Sequence, residues 1–143
     1  MVTRLCLAIT VFAGLLVARP VKAEGLLIVA NPSVNVATPM TSSQIAAIYL
    51  LRITAWPDGS RVVPVNREAT SDARTKFTSD VLKQDNASLA SYWNEMHFKG
   101  QHPPVVQESE RAMLAFIQKV PGAIGYISAS TVAENVKVLA YVP

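Results

Sequence analysis

The stretch Val62-Val63-Pro64-Val65-Asn66-Arg67-Glu68-Ala69-Thr70-Ser71-Asp72-Ala73-Arg74-Thr75-Lys76-Phe77 runs from a β-branched apolar segment through a polar turn into the start of a helix. Residues 61–66 read as a strand. Pro64 has no N–H to give a ladder, which places it near an edge or a bulge. Ser71 is a good N-cap, and Ala73, Phe77 and Val81 recur at i, i+4 and i+8 along one helical face. A strand that turns directly into a helix is a building unit of α/β layers, so this stretch decides the fold class. It also holds the one arrangement with binding chemistry. Arg67 stands before the turn and Arg74 in the first helical turn, where free N–H groups and the positive end of the helix dipole favour an anion. An ordinary capped helix with two solvated arginines would have the same sequence, and at this level both readings stay open.

Working outward, residues 26–30 (Leu-Leu-Ile-Val-Ala) form a short apolar run closed by Asn31-Pro32, the pattern of a buried strand. Thr41-Ser42-Ser43-Gln44 fits a capping box, and Ile45, Ile48 and Tyr49 follow at helical spacing, which predicts a helix over about 42–51. Trp56-Pro57-Asp58-Gly59 is a turn with an aromatic anchor. After Asn86-Ala87-Ser88, Leu89, Tyr92, Trp93 and Met96 make another helical face, followed by a loop over 99–104. Ser109 caps a fourth helix carrying Met113, Phe116, Ile117 and Val120, stopped by Pro121-Gly122. Residues 123–127 and 136–142 read as two more strands. The expected order is β-α-β-α-α-α-β-β, an α/β domain with a central sheet whose strand order the spacing does not reveal. Trp56 and Trp93, each beside an apolar helical face, are both expected to be buried.

The first 23 residues have a different character. Arg4 gives a short positive start, residues 5–17 are nearly all apolar, and Val21-Lys22-Ala23 puts small residues at −3 and −1. This predicts a signal peptide over 1–23 cleaved after Ala23, a single mature domain over 24–143 beginning at Glu24, and a periplasmic location. The apolar run of about 13 residues is short of the roughly 20 that cross a bilayer core, which disfavours the alternative of an N-terminal anchor. Cleavage would remove Arg4, Arg19 and Lys22, leaving 13 − 3 = 10 basic residues against 10 acidic ones. A near-neutral domain offers no electrostatic reason to expect nucleic acid as a partner. Cys6, the single cysteine, would leave with the segment.

Catalytic and metal chemistry find little support. His97 and His102 are the only histidines, and with Glu95 as the sole nearby third ligand they read as an exposed pair and not as a metal site. There is no G-x-S-x-G elbow, no phosphate-binding G-x-x-x-x-G-K-[ST] loop and no dinucleotide turn. The expectation is a protein that is not an enzyme, with no catalytic residues, no cofactor and no metal.

Three segments carry a resemblance. Residues 41–58, T-S-S-Q-I-A-A-I-Y-L-L-R-I-T-A-W-P-D, are similar to the L-t-x-x-q-i-x-x-I-y-x-G-x-i-t-x-W-x-D segment of phosphate-type periplasmic substrate-binding proteins. The strand–turn–helix resembles that family's R-x-D-G-S-G-T-x-x-x-F phosphate loop. Pro121-Gly122-Ala123-Ile124-Gly125-Tyr126-Ile127 resembles its P-G-a-I-G-Y-v strand. The resemblance implies an α/β fold: a single lobe of a type 2 periplasmic-binding-protein-like fold, with a central mixed sheet flanked by helices. It implies phosphate or another small oxyanion as ligand and an ABC permease or another periplasmic protein as partner.

Carried over residue by residue, Arg67 and Ser71 match family positions that contact phosphate, and Thr70, Asp72, Ala73 and Arg74 complete the candidate anion site. The family's glycines on either side of the serine are Thr70 and Asp72 here, and its threonine is Ala73. Asp72 puts a carboxylate where an anion would arrive, and Ala73 removes a hydroxyl donor. Arg74 is expected to act only through its general field. Leu51 stands where the family usually has glycine. The recognisable motifs all belong to the second of the family's two lobes, which clasp phosphate between them. Three or four charge-assisted hydrogen bonds at roughly 1.5–3 kcal/mol each, set against an association cost of about 4–15 kcal/mol, place an uncovered half-site near millimolar affinity. The alternative is a ligand-free interaction or scaffold module that retains the fold.

Overall fold

The computed structural model describes residues 24–143; the segment read as a signal peptide lies outside the described residues. Nine elements follow in order: β1 (Leu26–Ala30), α1 (Ser42–Tyr49), β2 (Val63–Arg67), α2 (Asp72–Asp80), α3 (Asn86–Phe98), β3 (Val105–Gln107), α4 (Glu110–Lys119), β4 (Ala123–Ser128) and β5 (Lys137–Val142). The strands form one mixed sheet in the order β3-β2-β4-β1-β5. β2 runs parallel to β3 and β4, and β1 runs antiparallel to β4 and β5. Among the described residues no helix is long and apolar enough to cross a membrane.

Alternation along the central strands sorts side chains to two faces. Leu26, Ile28 and Ala30 of β1 and Ile124 and Tyr126 of β4 join a core with Ile45, Ile48 and Tyr49 of α1 and Phe77 of α2. Val29, Val65, Ala123 and Ile127 point the other way and pack on Met113 and Ile117 of α4. The sheet is therefore covered on both sides, as an α/β layer requires. Gly125 lets α4 come close: a Cβ there would run into Met113 Sδ. Asn31, just past β1, donates from Nδ2 to the carbonyls of Ile117 (2.7 Å) and Gln118 (3.1 Å), tying the strand end to the C-terminal turn of α4.

The helix starts follow their caps. Gln44 N–H donates to Thr41 Oγ1 and Thr41 N–H to Gln44 Oε1, the reciprocal capping box. Ser71 and Ser109 accept from Arg74 N–H and Ala112 N–H, each at 3.0 Å. Helix α3 is capped by Asp85. Three expectations need correction. A short strand, β3, lies between α3 and α4 where only loop was expected. β2 is interior and not an edge strand, although β3 begins opposite Val65, so Pro64 pairs only with Ile124 of β4. Trp56 is buried, donating from Nε1 to Gly122 O at 3.0 Å, but Trp93 is only half-buried, because α3 reaches the core mainly through Leu89.

Candidate functional site

The C-terminal ends of the parallel strands β2, β3 and β4 come together at one edge of the sheet, the edge at which open α/β sheets characteristically bind ligands. Arg67 is the last residue of β2. The chain then turns tightly, with Ser71 N–H donating to Glu68 O at 3.1 Å, and enters α2. Thr75 N–H makes the first helical bond, to Ser71 O at 3.1 Å, so the N–H groups of Asp72 and Ala73 precede the intrahelical ladder. Ser71 Oγ accepts from Arg74 N–H and retains its own proton to donate.

The backbone of Arg67 is held from two sides. Its N–H donates to Tyr126 Oη at 3.1 Å, and its carbonyl accepts from Arg74 Nη1 at 2.8 Å. Tyr126 is fully buried, stacks on Phe77 with ring centroids 4.1 Å apart, and donates in turn to Asn66 Oδ1 at 2.8 Å. Burial pushes the Tyr126 phenol up to about 12, so it stays protonated and keeps donating. Arg74, expected to act only through its field, is instead a strap between α2 and the end of β2.

The Arg67 guanidinium has a partner already. Nε donates to Glu68 Oε2 at 2.8 Å and Nη2 to Glu68 Oε1 at 2.9 Å, a bidentate pair. The Arg67 side chain is 12% exposed and that of Glu68 28%. Hydrogen bonds from Arg67 hold the Glu68 carboxyl below the usual carboxylate range, and the same bonds raise the guanidinium further. Glu110, in the first turn of α4, accepts from Ser128 N–H and Thr131 Oγ1 and adds a second negative charge in reach of Arg67. Neither carboxylate was singled out from the sequence.

The turn thus ties Ser71 and Arg74 to the backbone of Arg67, while the only side-chain partner of the Arg67 guanidinium among the described residues is Glu68. Thr70 and Asp72 are exposed beside them, and Ala73 is half-buried against the core. An open cleft of about 760 Å³ borders α2, lined by Asp72, Ala73, Lys76, Ser128, Glu24 and, at the start of β1, Leu26. Arg67 does not line it. Lys76, its cation, pairs with Asp80 at 2.7 Å. A more apolar groove of about 430 Å³ lies at the opposite end of β2, beside Ile53, Pro104 and Val105, away from this chemistry. His97 and His102 are exposed with ring centroids 6.0 Å apart, and among the described residues no cluster of three metal-ligating side chains occurs.

The chain is similar to an ABC-type phosphate transport receptor from Vibrio cholerae (26% identity, TM-score 0.64), covering 81% of this chain and 45% of the receptor. It shares its fold with a putative phosphate ABC transporter substrate-binding protein with bound phosphate from Clostridium perfringens (23% identity, TM-score 0.65), covering 83% and 46%. It does so also with PstS from Borrelia burgdorferi (15% identity, TM-score 0.64), covering 82% and 47%. The chain therefore spans less than half the length of these relatives, and its mixed five-stranded sheet corresponds to one lobe of them. A family model described as PBP superfamily domain matches residues 8–142, and the chain belongs to that family.

Proposed function

We propose that this protein is an exported single-lobe relative of phosphate-type substrate-binding proteins that binds phosphate or a similar small oxyanion, weakly, at the β2–α2 turn. The observation that carries the reading is the placing of Arg67 at the end of β2, with the first turn of α2 strapped onto it by Arg74. Arg67 supplies the charge, Ser71 a hydroxyl donor, and the N–H groups near Asp72 the positive end of the helix. The relative from Clostridium perfringens is described with bound phosphate, which supports the ligand class. Residues 1–23 act as the cleaved signal and 24–143 as the periplasmic domain. The partner is an ABC permease or another periplasmic protein, and the lobe does no chemistry on its ligand.

Calorimetric titration of inorganic phosphate into the protein and into Arg67→Ala tests this. Saturable heat in the millimolar range, lost in Arg67→Ala, is the expected result. Saturation unaffected by that substitution would move the ligand elsewhere and refute the site. A second reading, a ligand-free interaction module, is favoured by one observation, the existing Arg67–Glu68 pair. Absence of heat at millimolar phosphate in every variant would select it.

A further inference from the structure

Arginine presents five N–H donors in a planar fork, and a tetrahedral oxyanion engages that fork two donors at a time. In this lobe one such edge, Nε with Nη2, is closed by the two oxygens of Glu68 at 2.8 and 2.9 Å. A carboxylate in this position copies the geometry of two oxyanion oxygens. It also cancels the charge that would attract a ligand, and it does so in a setting where Arg67 is only 12% exposed, so water screens the pair incompletely.

The pairing is not dictated by strand geometry. Neighbours within a strand point to opposite faces, so Arg67 and Glu68 could not meet if β2 continued. They meet because the strand ends at Arg67 and the chain turns at Glu68, whose N–H donates to Gln107 O at 3.2 Å and whose carbonyl accepts from Ser71 N–H at 3.1 Å. Glu68 is thus held by its N–H to the end of β3 and by its carbonyl within the turn that forms the candidate site, and its side chain lies on the guanidinium.

We infer that Glu68 is a built-in competitor for the oxyanion, a carboxylate that occupies Arg67 in the unliganded lobe and sets the affinity of the site. This rests on the proposed anion-binding reading of Arg67. An incoming phosphate must either displace Glu68 from the Nε edge or bind at the remaining donors against its charge. Either route weakens binding, and a change that swings Glu68 away would strengthen it without touching the ligand.

The test is a set of phosphate titrations at pH 7 and low ionic strength, comparing the protein with Glu68→Gln, Glu68→Ala, Arg67→Ala and the double variant Arg67→Ala/Glu68→Gln. Glu68→Gln keeps the shape of the side chain and removes its charge, so it is expected to tighten phosphate binding about tenfold, with Glu68→Ala at least as strong. Loss of that gain in the double variant ties it to Arg67. Equal affinity of Glu68→Gln and the unaltered protein, with Arg67→Ala still abolishing binding, would overturn the competitor while leaving the anion site standing. If neither Glu68 variant binds phosphate at millimolar concentration, both the competitor and the site fail. Circular dichroism of each variant confirms that the comparison is made between folded proteins.

Discussion

Replacing Tyr126 with phenylalanine removes one oxygen atom and keeps the ring that stacks on Phe77, so no cavity larger than a hydroxyl is opened. That oxygen does two jobs. It accepts from the N–H of Arg67 and donates to Oδ1 of Asn66, which is itself buried. Each partner left without a hydrogen bond costs about 1–3 kcal/mol, and incomplete burial of Arg67 brings the lower end into play for one of them, so the expected loss is about 2–4 kcal/mol. With a urea slope of about 1–3 kcal/mol per molar, the midpoint should fall by roughly 1–2 M. Unfolding can be followed by the fluorescence of Trp56, which is buried in the core. Tyr49→Phe is the internal comparison. Its hydroxyl donates to the carbonyls of Val65 (2.9 Å) and Ile124 (3.2 Å), acceptors with a second lone pair, so its loss should cost less, about 1 kcal/mol. A loss below about 0.5 kcal/mol for Tyr126→Phe, at unchanged slope, would refute the view that this phenol pins the end of β2.

Gly122→Ala should destabilise the protein by roughly 2–4 kcal/mol in the same assay, because Gly122 has φ +76° and a Cβ would collide with the Arg61 carbonyl; a loss under about 1 kcal/mol would mean that the two segments are further apart than described. The shifted carboxylates of Glu68, Asp80 and Glu95, hydrogen-bonded to Arg67, Lys76 and Lys99, all lie below their ordinary range. Their contribution is therefore present above pH about 4 and lost as pH falls through their lowered values, so the urea midpoint should drop as the pH is taken below about 4; a midpoint that rises on acidification would contradict this sign.

The features visible in the sequence were those decided by a few adjacent residues. The caps at Thr41, Ser71 and Ser109 are hydrogen bonds closed within one helical turn, and all three occur as expected. β3 was not visible because Val105 and Val106 are about half exposed, so no buried alternation marks them; their strand exists because β2 lies alongside. The Trp93 face misled because helical spacing says which residues share a side, not how closely that side approaches the sheet. The glycine usual at position 51 in the resembling family has a physical reason here. Leu51 has φ 56°, its N–H donates to Ile48 O and the Arg52 N–H to Ala47 O, a helix C-terminal motif that favours glycine. The leucine adopts that conformation regardless. At the site, Arg67 and Ser71 were legible as types, while the Glu68 pairing was not, since it depends on where the strand stops.

The place of β1 in the sheet has a consequence for how the chain becomes ordered. Leu27 lies opposite Ile127, 127 − 27 = 100 residues later, and opposite Tyr141 on its other flank. The central pairing of the sheet thus joins segments at opposite ends of the domain, and closing a loop of that size must precede any return from the contacts it brings. A growing chain has no partner for β1 until β4 and β5 exist, and α1 and α2, at 8 and 9 residues, are too short to persist before the sheet they pack on has formed. Pairing at this sequence separation predicts slow, cooperative folding that completes only once nearly all of the domain is available. For a protein that we propose is threaded across a membrane before it works, that delay keeps it in the state that can be threaded.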